Sequence, residues 1–198
     1  MVHTGAVRRV ASSVPIAAFT ECPAPWGTLH LATTPEGIVA TDLGAETPDF
    51  VDGLARRLHG LVVPVEDGQV PFEWRAALTE ASRQIREFFA GKRRSFSVPI
   101  DLRVCDWDRL VLTGAARLQF GETASYGELA GRIGRPGAAQ AVGGAMSRNP
   151  LPILIPCHRI VGAHGRLGGY GGASHADRQA ALAVKRRLLA LEGTILAD

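Results

Sequence analysis

A cysteine and a histidine stand side by side in residues 149–172, NPLPILIPCHRIVGAHGRLGGYGG, behind a continuously apolar run and a proline and ahead of six glycines. The run LPILI passes through the core and Pro156 ends regular structure, so Cys157 reaches the edge of the core on a stiff segment. A thiol so placed is ordinarily an inert buried group. A histidine next door can instead act as its base and raise its thiolate content. Side chains of sequence neighbours often point apart, so adjacency alone leaves both readings open. A Cys–His hydrolase would take its other partners from elsewhere, and a metal site would need more ligands than Cys157, His158 and His164.

The composition narrows the setting. The 198 residues allow one generous domain or two small ones, and 46% hydrophobic with 21% charged residues is a globular balance. No apolar run approaches the roughly 18 residues of a membrane span, and VPIAAF near the N-terminus is short for a signal sequence. Residues 1–17 read as a loose tail. Cys22, Cys105 and Cys157 are an odd, widely spaced set without a C-x-x-C pair, which speaks against a disulfide framework or cysteine zinc site and for a reducing cytosol. The net charge of +3 is uneven: residues 1–100 carry 10 Lys/Arg against 11 Asp/Glu, whereas 109–193 carry 11 against 4. A basic second half suits a polyanion such as nucleic acid, or is simply a solvated surface.

The elements that would position the pair follow from periodicity. Residues 28–33 and 38–43 read as strands joined by the turn TPEG. Trp74, Leu78, Ala81, Ile85 and Phe88 recur at helical spacing, stopped by Gly91. SFSVPI (95–100) alternates like an edge strand limited by Pro99. These form a small α+β unit over 18–100, with no catalytic cluster. From Asp101 to the C-terminus the texture changes. Ser125 and Glu128 make a capping box for one short helix. GRPG (134–137) turns the chain, with Pro136 near the start of a second helix over about 137–147. That helix, built from Ala138, Ala139, Ala141, Val142 and Ala145 around Gly143 and Gly144, is thin, as for entry into a DNA groove or for close helix packing. A last helix runs from about Ser174 to Leu191, capped by Ser174 and Asp177 and carrying Lys185, Arg186 and Arg187 where its dipole favours cations. Glu192, an acid at that end, is either an exposed charge or the partner of a basic group.

Taken together, SRNPLPILIPCHRIVGAHGRLGGYGG, ETASYGELA (122–130), AVGGAM (141–146) and LLALEG (188–193) resemble the methylated-DNA–protein-cysteine methyltransferases, or O6-alkylguanine-DNA alkyltransferases. The likeness is strong over about 120–193 and looser over 24–100. It implies an α+β protein, with a small N-terminal α/β (ribonuclease H-like) domain followed by a winged helix-turn-helix domain that holds double-stranded DNA through its minor groove. It implies a monomer that uses no cofactor or metal and flips an O6-alkylguanine beside the cysteine, which keeps the alkyl group, with O4-alkylthymine as a second substrate that the resemblance admits. Carried over by position, Cys157 is the nucleophile, His158 draws its proton through a water, and Glu192 orients His158. Tyr126 donates a proton toward the leaving guanine, and Asn149 braces the turn before the active-site loop. Tyr170 and its glycines wall the pocket. Ala138, Ala139, Gln140 and Gly143 fall on the recognition helix, and Arg148, Arg159 and Lys185 are expected at the DNA.

The sequence departs from the family's pattern in four places. Gln140 stands where an arginine usually fills the gap of the flipped base, and Gly171 where some members have serine. ASHADRQAA (173–181) is extra, and VCDWDRLVLTG (104–114) lacks the usual Phe-Gln. A non-catalytic binder of the flipped lesion is the alternative; Gln140 favours it and Cys157 opposes it.

Overall fold

The computed structural model describes residues 14–171 and 178–194. Strands β1 (Ala17–Ala24), β2 (Gly27–Thr34), β3 (Gly37–Leu43) and β4 (Val62–Pro64) form one sheet in the order β3-β2-β1-β4. β1 pairs antiparallel with β2 and parallel with β4, and β2 pairs antiparallel with β3. Both faces are covered, so side chains of either parity are buried. Leu29 and Leu31 meet α2 (Phe72–Phe89) through Leu78, Ile85 and Phe88, while Ala32 and Val39 meet α1 (Thr47–Leu58) through Phe50 and Leu54. All five residues of the expected α2 stripe are buried, and Gly91 at φ +70 ends that stretch as the spacing predicts.

Three expectations are corrected here. The tail ends early: Ala17 already pairs with Val62, and the Ile16 amide bonds Leu61. SFSVPI is no strand; it makes one bridge, Ile100 to Ile38, where Pro99 offers only its carbonyl to Ile38. The second short helix begins at Ala139 rather than 137, because Gly137 sits at φ +87 and leaves Pro136 in the turn.

The second half is α3 (Asp106–Ala116), β5 (Ala124–Ser125), α4 (Tyr126–Arg132), α5 (Ala139–Ser147), β6 (Ile160–Val161) and α6 (Arg178–Leu191). The Ser125–Glu128 capping box starts α4 as expected. α4, the turn and α5 form the helix–turn–helix, with α3 packed on both helices and β5 parallel to β6 beside them. The cap assigned to Ser174 and Asp177 lies outside the described residues.

Candidate active site

Cys157 is positioned by the segment before it, and Asn149 organises that segment. The Asn149 amide donates to the Ile155 carbonyl at 3.0 Å and its oxygen accepts the Leu151 amide at 3.0 Å. The Ile155 amide returns to Leu151 O at 2.8 Å. Ile153 is held inside this loop at φ +75, a conformation that costs a β-branched residue about 1–3 kcal/mol and persists only where its surroundings over-determine it. The bracing role read for Asn149 thus has a geometric basis. Leu151, Ile153 and Ile155 are buried as expected, and a single 3-10 turn, Cys157–Arg159, carries the cysteine to the pocket.

Cys157 is 5% exposed and His158 0%. Burial pushes the Cys157 thiol up, opposed by Asn149 and by the charge of Lys185. Burial likewise lowers the His158 pKa, against the pull of Glu192, and so favours the neutral imidazole. His158 Nε2 lies 2.9 Å from Glu192 Oε1. Burial would raise Glu192, but hydrogen bonds from His158 and Arg159 outweigh it and hold the carboxyl at about 2. An ionised carboxylate only accepts, so Nε2 carries the imidazole proton and Nδ1 the free lone pair. Nδ1 is buried and has no hydrogen-bond partner in the structure. The acid at the helix end is therefore a partner of basic groups, not an exposed charge.

Arg159 and Lys185 are not surface cations, which corrects their expected place at the DNA. Arg159 reaches Glu192 through Nε at 2.9 Å and Nη2 at 2.7 Å, and Leu118 O through Nη1 at 2.6 Å. Its charge cancels that of Glu192 inside the protein, the condition under which a buried ion is tolerated. Lys185 is fully buried and donates to Ile160 O at 2.5 Å and Gly169 O at 2.9 Å. Burial lowers it to about 8. It ties β6 to the glycine-rich loop and places a cation near the thiol. Arg148 does remain half exposed at 56%, gripped on one edge by Asp108 at 2.6 and 2.8 Å. That pair, unforeseen in the sequence, fixes the end of α5 to α3.

A pocket of about 280 Å³ opens on Cys157, bounded by Tyr126, Met146, Ser147, Tyr170 and Gly171. The Tyr126 hydroxyl donates to Gly169 O at 3.4 Å, and burial raises its pKa. Burial raises Tyr170 well above the ordinary tyrosine value, helped by the charges of Cys157 and Asp42. The glycines have separate uses. Gly168, at φ +68, would bring a Cβ to 3.3 Å from the Tyr126 ring, and a Cβ on Gly143 would lie 3.7 Å from it. The second is ordinary contact, so packing on Tyr126 would admit a methyl group at residue 143 and does not by itself explain why α5 is thin there. Ala138 caps α5, Ala139 is its first residue, and the exposed Gln140 and Ala141 follow, leaving this end open. A Cβ on Gly171 would come within 2.8 Å of Ser147 Cα, so the serine found there in some relatives does not fit this wall. Among the described residues no group of three or more His, Cys, Asp or Glu could hold a metal ion, and no helix is long and apolar enough to cross a membrane.

The sequence was compared with known proteins. Residues 106–194 match the family model described as 6-O-methylguanine DNA methyltransferase, DNA binding domain, and residues 17–102 match its ribonuclease-like domain. The methylated-DNA–protein-cysteine methyltransferase of Mycobacterium tuberculosis is 46% identical over 102 residues, 52% of this chain; the matched part spans 62% of that relative, under two thirds. The constitutive enzyme of that name from Bacillus subtilis is 33% identical over 168 residues, 85% of this chain and 94% of its own. Among solved structures, Mycobacterium tuberculosis OGT in complex with DNA superposes with a TM-score of 0.70 at 35% identity, covering 88% of this chain and 92% of that one. With both halves matched in order, the chain belongs to the O6-methylguanine-DNA methyltransferase family.

Proposed function

We propose that the protein repairs double-stranded DNA by moving the alkyl group of O6-alkylguanine onto its own Cys157. The observation that carries this reading is a thiol opening onto a pocket between two tyrosines, followed by a histidine whose Nε2 is fixed by a buried carboxylate. Attack on an unactivated alkyl carbon needs a soft nucleophile, and a thiolate is the best that a side chain offers. His158 Nδ1 takes the thiol proton through a water, and Glu192 stabilises the resulting imidazolium. The new bond is Sγ–C and the bond broken is C–O6. Tyr126 supplies a proton to the departing guanine and is reprotonated at the expense of the imidazolium through solvent, so the thiol proton is, in net terms, passed to the base. The alkyl group stays on sulfur, and each molecule acts once without a cofactor.

The same reading places the boundary between the two domains at 100/101, and the two matched spans, 17–102 and 106–194, part close to it. It lays α5 in the minor groove by Ala138, Ala139 and Gln140, with Arg148 turned to a phosphate. It also makes the protein a monomer of the cytoplasm. Incubation with excess O6-methylguanine duplex should add one methyl group to the peptide containing Cys157. Cys157→Ser should still bind DNA and take up none, because an alcohol is far less nucleophilic than a thiolate near neutral pH. Label on Cys22 or Cys105, or repeated turnover, overturns the reading.

A further inference from the structure

The loop that carries the cysteine is held from outside as well as by Asn149. Thr41 lies on β3, in the ribonuclease-like half, and is 4% exposed. Its amide donates to Pro150 O at 2.9 Å and its hydroxyl to Pro152 O at 2.7 Å. The Pro152 carbonyl belongs to the peptide that leads into Ile153, the β-branched residue at φ +75. Rotation of that peptide plane would release Ile153 toward ordinary negative φ, and it would carry Pro152 O away from Thr41. Strain of this kind persists only where neighbouring contacts leave it no other conformation. Asn149 closes the loop at its two ends, but neither of its bonds touches the Pro152–Ile153 peptide. The Thr41 hydroxyl does.

We propose that Thr41 is a positioning residue for the alkyl transfer: its hydroxyl locks the Pro152–Ile153 peptide and so keeps Cys157 aimed into the pocket. The sheet half thereby takes part in the reaction without touching substrate. Cys157 lies five residues beyond Pro152, and its own amide bonds Ile155 O at 2.8 Å, so a flipped peptide would pass along this short path to the sulfur. A small misplacement of a reacting atom is enough to slow a displacement that depends on alignment. The inference rests on Cys157 being the alkyl acceptor.

The test compares Thr41→Val, which keeps the shape and loses the donor, with Thr41→Ser, which keeps the donor. Val should lower the rate of methyl uptake from duplex DNA about tenfold, the scale of one buried hydrogen bond. DNA affinity should be unchanged, and Ser should recover the rate to within about threefold. Hydrogen exchange at the Leu151 and Ile155 amides gives a readout independent of activity. It should quicken about tenfold in Val and stay near wild type in Ser. If Val does not fold, Thr41→Ala against Thr41→Ser differs by the one oxygen and makes the same comparison. Equal rates and equal exchange with and without the hydroxyl overturn the clamp and leave the repair reading standing. A wild-type protein that takes up no methyl on Cys157 overturns the repair reading, while exchange still decides the clamp.

Discussion

Glu80 and Glu192 are both pulled down to about 2, and they sit in opposite surroundings. Glu80 lies on the outer face of α2, bonded to Arg83 and Gln84, with Arg83 also paired to Glu87. Glu192 is buried under α6 against His158, Arg159 and the Gly121 amide. The first group lies in water, where opposite charges gain little over hydration and the pairs merely decorate a helix. The second has no water to fall back on, so every lone pair must be matched by a donor and each partner is fixed in place. The same acidity thus marks a surface ornament in one case and a device that orients an imidazole in the other.

Removing the arginine from each cluster gives the largest contrast. Arg159→Met should leave Glu192 with an uncompensated buried charge and destabilise the fold by about 3–5 kcal/mol in denaturant melts. Arg83→Ala should leave the midpoint essentially where it was. A comparable loss in both would mean that the surface network is cooperative in a way its exposure does not suggest.

A functional contrast comes next. Glu192→Gln and His158→Ala should each slow methyl uptake by roughly a hundredfold, within the range of general acid–base effects. Both should raise the apparent pKa of Cys157, read from the pH dependence of thiol labelling. The double variant should be little worse than either single one, because both groups serve one thiolate. Full additivity would reduce Glu192 to a partner of Arg159. Glu80→Gln should leave uptake untouched.

The acid limb of stability separates the two sites again. Glu192 is depressed from 4.5 to about 2, so its contribution is complete above about 4.5 and is lost as pH falls toward about 2. The unfolded chain binds the extra proton in that window. Denaturation midpoints of Glu192→Gln should therefore depend less on pH there than those of wild type. Glu80→Gln should flatten the profile much less, since solvent screens the exposed pair and weakens the depression it can sustain.

The smallest expected effect concerns the exposed Gln140 at the open end of α5. Extruding a base costs a few kcal/mol, and arginine can fill the stack and add a cation near the phosphates. Gln140→Arg should speed repair of duplex DNA by roughly fivefold and leave reaction with a free guanine-derived substrate unchanged. If both rates rise, residue 140 acts on the thiol site and not on the extruded base.

Much of this molecule is written in short-range pattern. The capping box at Ser125 and Glu128, the α2 stripe from Trp74 to Phe88 and the β2–β3 hairpin depend on neighbours a few residues apart. Helix α1 carries such a stripe too, Phe50, Leu54 and Leu58, but Gly53 interrupts it and Glu46 offers no side-chain cap, so it does not stand out in the sequence. Strand β1, AAFTECPA, has no clean alternation because its two neighbours and both helical layers, not its own period, decide what is buried.

What the sequence alone determined was the family and the candidate reacting pair, because Pro-Cys-His-Arg and the glycine-rich run after it are contiguous along the chain. The tertiary structure decided which charges face inward. Arg159 and Lys185 look like any basic residues until chain segments 33 and 25 positions away supply a carboxylate and a carbonyl. Thr41 is an ordinary strand residue until Pro152, 111 positions on, accepts its proton. Burial is a property of the closed fold, and it alone converts such groups from solvated side chains into fixed partners of the site.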